Sequence, residues 1–154
     1  MNENQKTARI LSSITEEQWE AILNLLQTKG EMETYLNFKQ EQHQLRDKVD
    51  ELLLKLGASM KISGYKYLSE AIVMVCENKS LEQDFTQKLY PYMARINNVK
   101  QQKITHSIFY CIKIMYDRGD KELLKEITGY PTVDKEKPTN SEFILILARY
   151  VKSI

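Results

Sequence analysis

Eight residues near the middle of the chain share a spacing that could read a nucleic acid. Gln101, Gln102, Lys103, Thr105, His106, Phe109, Tyr110 and Lys113 flank an apolar row of Ile104, Ile108, Ile112 and Met115, which steps by four, four and three. That step is the period of an amphipathic helix. Its polar side would present amide, hydroxyl, imidazole and ammonium groups that can bond base edges, and rings that can pack on thymine methyls. For Phe109 and Tyr110 a second reading stays open, cover by helices from elsewhere in the chain. From residue 88 to 118 there are six cations, Lys88, Arg95, Lys100, Lys103, Lys113 and Arg118, against Asp117 alone, a net charge of +5. Charge of one sign on a helix pair points to a polyanion, since phosphate neutralisation supplies most sequence-independent affinity. An exposed basic face also occurs in plain helical bundles. Lys100 joins the set as a candidate phosphate contact.

Other chemistry has little support. His106 and Cys111 lie five residues apart on one helix, about 500° of turn, so they diverge. His43 and Cys76 have no orienting partner nearby in sequence, and there is no CxxC, HExxH or phosphate-binding loop. The expectation is no enzyme, no metal and no cofactor.

The elements that must position the polar face are helical. Residues 87–96, with Leu89, Met93 and Ile96 at helical spacing, form a first helix, and 101–117 a second. The short polar break Asn97-Asn98-Val99 between them suits a helix-turn-helix corner. Ahead of this pair, Thr15 and Gln18 have capping-box spacing, Ile14 can staple against Trp19, and Trp19, Ile22, Leu23 and Leu26 make a stripe that Lys29-Gly30 would close. Residues 31–56 lack Gly and Pro, so one long helix is expected there. Tyr35, Phe38, Gln42, Leu45, Val49, Leu52 and Leu56 form a heptad seam along it. That seam reads either as a coiled-coil dimer or as Leu45 onward packing into the domain behind; a joint over polar residues 39–44 competes with the continuous helix. Gly57 ends the helix, Lys61-Ile62-Ser63-Gly64 turns, and 65–76 is strongly apolar through Tyr67, Leu68, Ala71, Ile72 and Val75. A short helix at 121–128 stops at Gly129-Tyr130-Pro131, and a polar loop covers 132–139. Asn140 or Ser141 then caps a last helix carrying Phe143, Ile144, Leu147 and Val151. No segment alternates with period two, so the fold class is all-α.

At 154 residues the chain is one domain of ordinary size with room for an appendage. Its net charge of +1 divides unevenly: residues 1–56 hold 7 basic and 10 acidic side chains, residues 57–154 hold 15 and 11. An anion-binding surface therefore belongs to the second part. No apolar run approaches the ~20 residues of a bilayer span, so no membrane is expected. The opening MNENQKTARI lacks the order of a secretory signal. Cys76 and Cys111 sit in apolar stretches as small core residues, which fits a reducing cytoplasm.

Several separated motifs carry a family likeness. Gly64-Tyr65-Lys66-Tyr67-Leu68-Ser69-Glu70-Ala71-Ile72, Leu89-Tyr90-Pro91, Arg118-Gly119 and Lys137-Pro138-Thr139-Asn140-Ser141-Glu142-Phe143 occur in this order. With them the chain resembles, over about residues 45–151, the C-terminal DNA-binding effector domain of the stage zero sporulation response regulator. The resemblance implies an all-α bundle of about six helices whose helix-turn-helix places its second helix in the major groove. It also implies Lys137 and Asn140 as phosphate contacts beside a helix N-terminus, with capping as the competing role of Asn140. An RNA polymerase sigma subunit is a further partner that it implies.

Two departures stand out. Only about 44 residues precede the match, too few for the ~100–150 of a typical domain, so no phosphorylatable receiver fits among them. The arginines of the family's reading helix fall on Lys103, His106 and Phe109, its glutamate on Thr105 and a histidine on Tyr110. The guanidinium fork that reads guanine is thus absent. The expectation is a receiver-less transcriptional regulator, with residues 45–154 as the helix-turn-helix effector domain and 1–44 as a helical segment of one or two helices for homodimerisation or regulation. Its partner would be double-stranded DNA. The alternative is a module without base reading that partners or antagonises a full-length regulator.

Overall fold

The computed structural model describes residues 2–130 and 137–154. These residues form seven α-helices and no strand. None of the described helices is long and apolar enough to cross a membrane. The chain divides into two compact units, Met1–Gln42 and His43–Ile154.

The first unit holds α1 (Glu3–Ser12) and the start of α2 (Glu16–Lys55). The Thr15–Gln18 capping box forms as its spacing predicts: the Thr15 amide donates to Gln18 Oε1 at 3.0 Å, and the Gln18 amide to Thr15 Oγ1 at 3.2 Å. The expected close at Lys29-Gly30 does not occur; α2 runs through it. Glycine keeps its N–H, costs only about 1 kcal/mol against alanine inside a helix, and needs a following turn to terminate one. Residues 39–44, where a joint competed with the continuous helix, are helical. The helix α1 has no apolar stripe to announce it, but Asn2 and Gln5 form their own reciprocal box. The Gln5 amide donates to Asn2 Oδ1 at 2.8 Å and the Asn2 amide to Gln5 Oε1 at 3.3 Å. No described side chain among residues 2–42 is buried.

The second unit has a continuous core. Val49, Leu52 and Leu53 near the end of α2 and Leu56 just after it are buried in it, and Leu45 packs against it. The lower half of the seam therefore belongs to this core, as the packing alternative holds, and only Tyr35 and Phe38 above it stay exposed. The α2 helix closes in a Schellman turn: the Ala58 amide reaches Leu53 O at 2.9 Å and the Gly57 amide Leu54 O at 3.1 Å, with Gly57 at φ 93°.

Next comes α3 (Ser63–Glu77), the most apolar helix, then a 3₁₀ turn over Lys79–Gln83 and a π turn over Phe85–Leu89. They lead into α4 (Tyr90–Asn97), α5 (Gln101–Arg118), α6 (Lys121–Thr128) and α7 (Asn140–Ser153). Ile104, Ile108, Ile112 and Met115 of α5 meet Leu68, Ala71 and Ile72 of α3 and Phe143, Ile144 and Leu147 of α7 in one core cluster. Ile96 departs from its expected core role, being 47% exposed. The inward row is Leu89, Tyr90, Met93, Ala94 and Asn97, with Asn97 in the inward place four residues after Met93, where it bonds Glu70 Oε2, so Ile96 falls on the outer flank. Asp120 caps α6 through the amides of Glu122 (3.1 Å) and Leu123 (3.0 Å). Gly129, left-handed at φ 71°, closes it. The loop expected from 132 lies outside the described residues as far as 136.

The start of α7 corrects another expectation. Neither Asn140 nor Ser141 is the cap. Thr139, in extended conformation, accepts from the Glu142 amide at 3.2 Å, and Asn140 is already helical. Thr139-Asn140-Ser141-Glu142 has the S/T-x-x-E spacing of a capping box.

Candidate nucleic-acid interface

The corner between α4 and α5 is built by Asn98. It adopts the left-handed conformation at φ 52°, which asparagine tolerates better than most residues. Its amide donates to Arg95 O at 3.2 Å and that of Val99 to Ala94 O at 3.0 Å, a second Schellman turn, with Val99 packed back against the core. Lys100 follows in extended conformation and α5 starts at Gln101. Two side chains brace the corner. Asn97 Nδ2 donates to Glu70 Oε2 on α3 at 3.1 Å, and Gln101 Nε2 donates to Thr86 O at 3.3 Å.

Depth is set by Gly64. A Cβ there would stand 1.9 Å from Ser107 O and 2.6 Å from its carbonyl carbon, so α3 and α5 meet backbone to backbone at this point. Asp50 of α2 holds the same end of α3, accepting from Tyr65 Oη at 2.7 Å and Ser69 Oγ at 3.1 Å. Burial, then the bond to Asp50, pushes the Tyr65 hydroxyl well above the ordinary tyrosine range. The thiol of Cys111, on the inner face of α5, is pushed by burial to about 11. A protonated buried thiol is inert, as a core role requires.

With the inner face buried, the residues singled out from the sequence separate into groups. Gln102, Lys103, His106, Phe109 and Tyr110 are exposed on α5, while Gln101, Thr105 and Lys113 are half-buried. Phe109 and Tyr110 are 51% and 56% exposed. Thr105 turns its hydroxyl onto its own helix, toward Gln101 O (3.4 Å) and Gln102 O (3.2 Å). Lys137 and Asn140, far off in sequence, come to the same helix. Lys137 Nζ stands 4.5 Å from the Phe109 ring centroid, within cation–π range. Asn140 Nδ2 donates to Thr105 O at 2.9 Å. Tyr90 Oη and Ser141 Oγ share a hydrogen bond of 3.1 Å. Burial raises the Tyr90 hydroxyl above its usual range, against the Ser141 bond, so it stays protonated there. Between these groups runs a shallow groove lined by Tyr90, Phe109 and residues 137–141.

The positive charge is less concentrated than the sequence count implies. Lys88 and Arg95 line a different groove, with Met74, Leu81, Pro91 and Tyr92, and the Arg95 guanidinium lies 5.4 Å from the Tyr92 ring centroid. Lys100, Lys103, Lys113 and Lys137 remain about α5. Sequence reasoning missed the joining of Lys137 to Phe109 and of Asn140 to the backbone of α5. These are contacts across 28 and 35 residues, and no local pattern encodes them.

The second unit thus pairs a corner closed by Asn98 with an exposed row on the second helix of the pair. The family model described as sporulation initiation factor Spo0A C terminal matches residues 49–151. That family is one of DNA-binding transcription-factor domains and not of enzymes. The chain belongs to the Spo0A C-terminal family.

Proposed function

We propose that this chain regulates transcription by binding duplex DNA, with α5 lying in the major groove. The observation that carries this reading is the split of α5 into a wholly buried apolar row and an exposed row of Gln102, Lys103, His106 and Tyr110. The exposed row offers amide, ammonium, imidazole and phenol groups to base edges. Gln101, Thr105, Phe109 and Lys113 border it, Lys100 and Lys137 reach phosphates on either side, and Asn140 flanks the Lys137 contact. An RNA polymerase sigma subunit is the further partner on this reading.

The test is binding of the purified protein to the DNA upstream of its own coding region, titrated with salt. The two lysines assigned to phosphates, Lys100 and Lys137, correspond to a slope of log affinity against log salt of roughly −2 per bound copy. Preference over random duplex together with such a slope supports the reading. A flat slope and no preference would overturn it.

A second reading rests on one observation: Lys103, His106 and Phe109 stand where the resemblance places arginines. On it the domain has lost base reading and acts by pairing with a full-length regulator of the same family. Capture of such a regulator by a protein that ignores DNA would favour it.

The first unit has a proposed role as well. Trp19, Leu23, Leu26, Tyr35 and Phe38 are all exposed, Trp19 least at 37%. Apolar side chains at this density bury against a partner, and we assign that partner as a second copy of the same unit. A homodimer would present two reading helices at once and raise affinity through effective concentration.

A further inference from the structure

Asn140 occupies the first turn of α7, where an asparagine ordinarily serves the helix itself. Here Thr139 provides the cap, through the Glu142 amide. The Asn140 amide instead crosses to α5 and donates to Thr105 O at 2.9 Å. That carbonyl lies in the second turn of the reading helix, one residue before His106 and two after Lys103. A helix carbonyl has a second lone pair, so it can accept this bond beside its own intrahelical one.

Two further contacts come from the same short segment. Lys137 caps the Phe109 ring at 4.5 Å, and Ser141 bonds Tyr90, the first residue of α4, at 3.1 Å. The apolar face of α5 sets its distance from the core, and the Gly64 crossing sets its depth. The buried row selects the inward face of α5, but hydrophobic burial is non-directional and leaves the finer angle about the axis to other contacts. A hydrogen bond from a fixed donor to a carbonyl on one flank is directional. Base reading in turn requires side chains held within about 0.5 Å and 10–20° of the productive geometry.

We propose that residues 137–141 latch the reading helix, with Asn140 as the positioning residue that fixes the rotation of α5 through the Thr105 carbonyl. The proposal rests on the DNA reading above and adds to it. Asn140 acts on the aim of Lys103 and His106 and on discrimination between sequences, beyond any share in holding phosphate. Thr105, whose hydroxyl faces its own helix and whose carbonyl holds the latch, serves as an anchor point, and Phe109 serves as the platform for Lys137.

The experiment uses the full chain and two duplexes of equal length, one selected by the wild type from a randomised pool and one of random sequence. Asn140→Ala removes the amide. Asn140→Asp keeps its shape and removes the donors, its carboxylate being favoured at a helix N-terminus and opposed by the Thr105 carbonyl; a thermal melt of each variant shows that it is folded where binding is read. Both variants should lose at least tenfold more affinity for the selected duplex than for the random one. His106→Ala, costly in the wild type, should cost less than threefold more when added to Asn140→Ala, because a helix no longer aimed has little reading left to lose. Equal loss on both duplexes with a shallower salt slope would make Asn140 a plain phosphate contact and overturn the latch. Additive effects of His106→Ala and Asn140→Ala would overturn it as well. If the wild type itself selects no duplex from the pool, the DNA reading fails and the latch fails with it.

Discussion

Lys103 and His106 stand one helical turn apart on the exposed row of α5, and both differ in kind from the arginines that the family resemblance places there. An ammonium or imidazole can bond a base edge, though without the two-pronged fit of a guanidinium. Replacing either with alanine should therefore weaken binding to the preferred duplex by roughly 1–3 kcal/mol and relax discrimination at one or two base pairs. Unchanged affinity of both variants for preferred and random duplexes would show that the reading face is elsewhere. Lys137 predicts a different signature. As a phosphate contact it supports all sequences alike, so Lys137→Ala should weaken every duplex to a similar degree. The slope of log affinity against log salt should become shallower by about one contact. A loss confined to one sequence would mean that Lys137 reads bases. At this scale the sequence revealed which groups are polar and exposed, because helical period decides that. It did not reveal that Lys137 meets Phe109 or that Asn140 meets Thr105, since both contacts depend on where α7 lies against α5.

At the scale of elements, the corner and the crossing do the positioning. Asn98 and Val99 close α4 by a motif legible in the polar break between two apolar rows. The Gly64 crossing is a tertiary fact. Gly64→Ala would drive a methyl into Ser107 O at 1.9 Å. Since backbone must move, the expected cost is about 1–3 kcal/mol of stability, and DNA affinity should fall further as α5 shifts outward. A thermal melt alongside a binding curve separates the two effects; a fully stable, fully binding variant would show that the Gly64 crossing does not set the depth of α5. The join of α2 to α3 predicts a pH dependence. Tyr65 is raised above 10.0 by burial and by Asp50, and Cys111 is raised from 9.0 to about 11 by burial. Each folded group holds its proton more tightly than the unfolded chain does. Their contribution to stability is thus full below about pH 9 and is lost as pH rises, first with Cys111 and then with Tyr65. Melting temperature should fall across pH 9–11, and Tyr65→Phe should flatten the part of that decline above pH 10. An alkaline limb identical in the variant would exclude the hydroxyl as its source.

At the scale of the molecule, the two units differ in how they use their apolar side chains. Among the described residues of 43–154 most such side chains fill one core, whereas in residues 2–42 none of the described ones is buried and Leu25, Leu23 and Leu26 are 69%, 59% and 58% exposed. The burial of Val49, Leu52 and Leu56 restricts any self-association seam to the part of α2 ahead of it, about Trp19 to Phe38. Sedimentation of the full chain at tens of micromolar should show a dimer. Removing residues 1–44 leaves every buried side chain of the second unit in place, so the remainder should fold as a monomer. It should bind a single half-site weakly and lose most affinity for a paired site. A monomeric full-length chain, with tighter DNA binding after truncation, would identify the segment as an inhibitory cover.

Helical class, the capping box at Thr15, the corner at Asn97-Asn98-Val99, the stop at Gly57 and the buried row of α5 were determined by sequence alone. Each rests on neighbours within a few residues, where period and turn chemistry act. The passage of α2 through Gly30 was decided otherwise, because a lone glycine weakens a helix without ending it. The exposure of Ile96 followed from Asn97 taking the inward place beside it, where a partner on α3, Glu70, accepts its amide, and period counting of apolar residues does not anticipate a polar one facing inward. Tertiary structure alone decided that the lower half of the seam enters the core, that Gly64 lets α3 touch α5, and that Asn140 leaves its own helix for the carbonyl of another. These outcomes turn on which surfaces meet in space, and meetings across tens of residues leave no periodic trace in the chain.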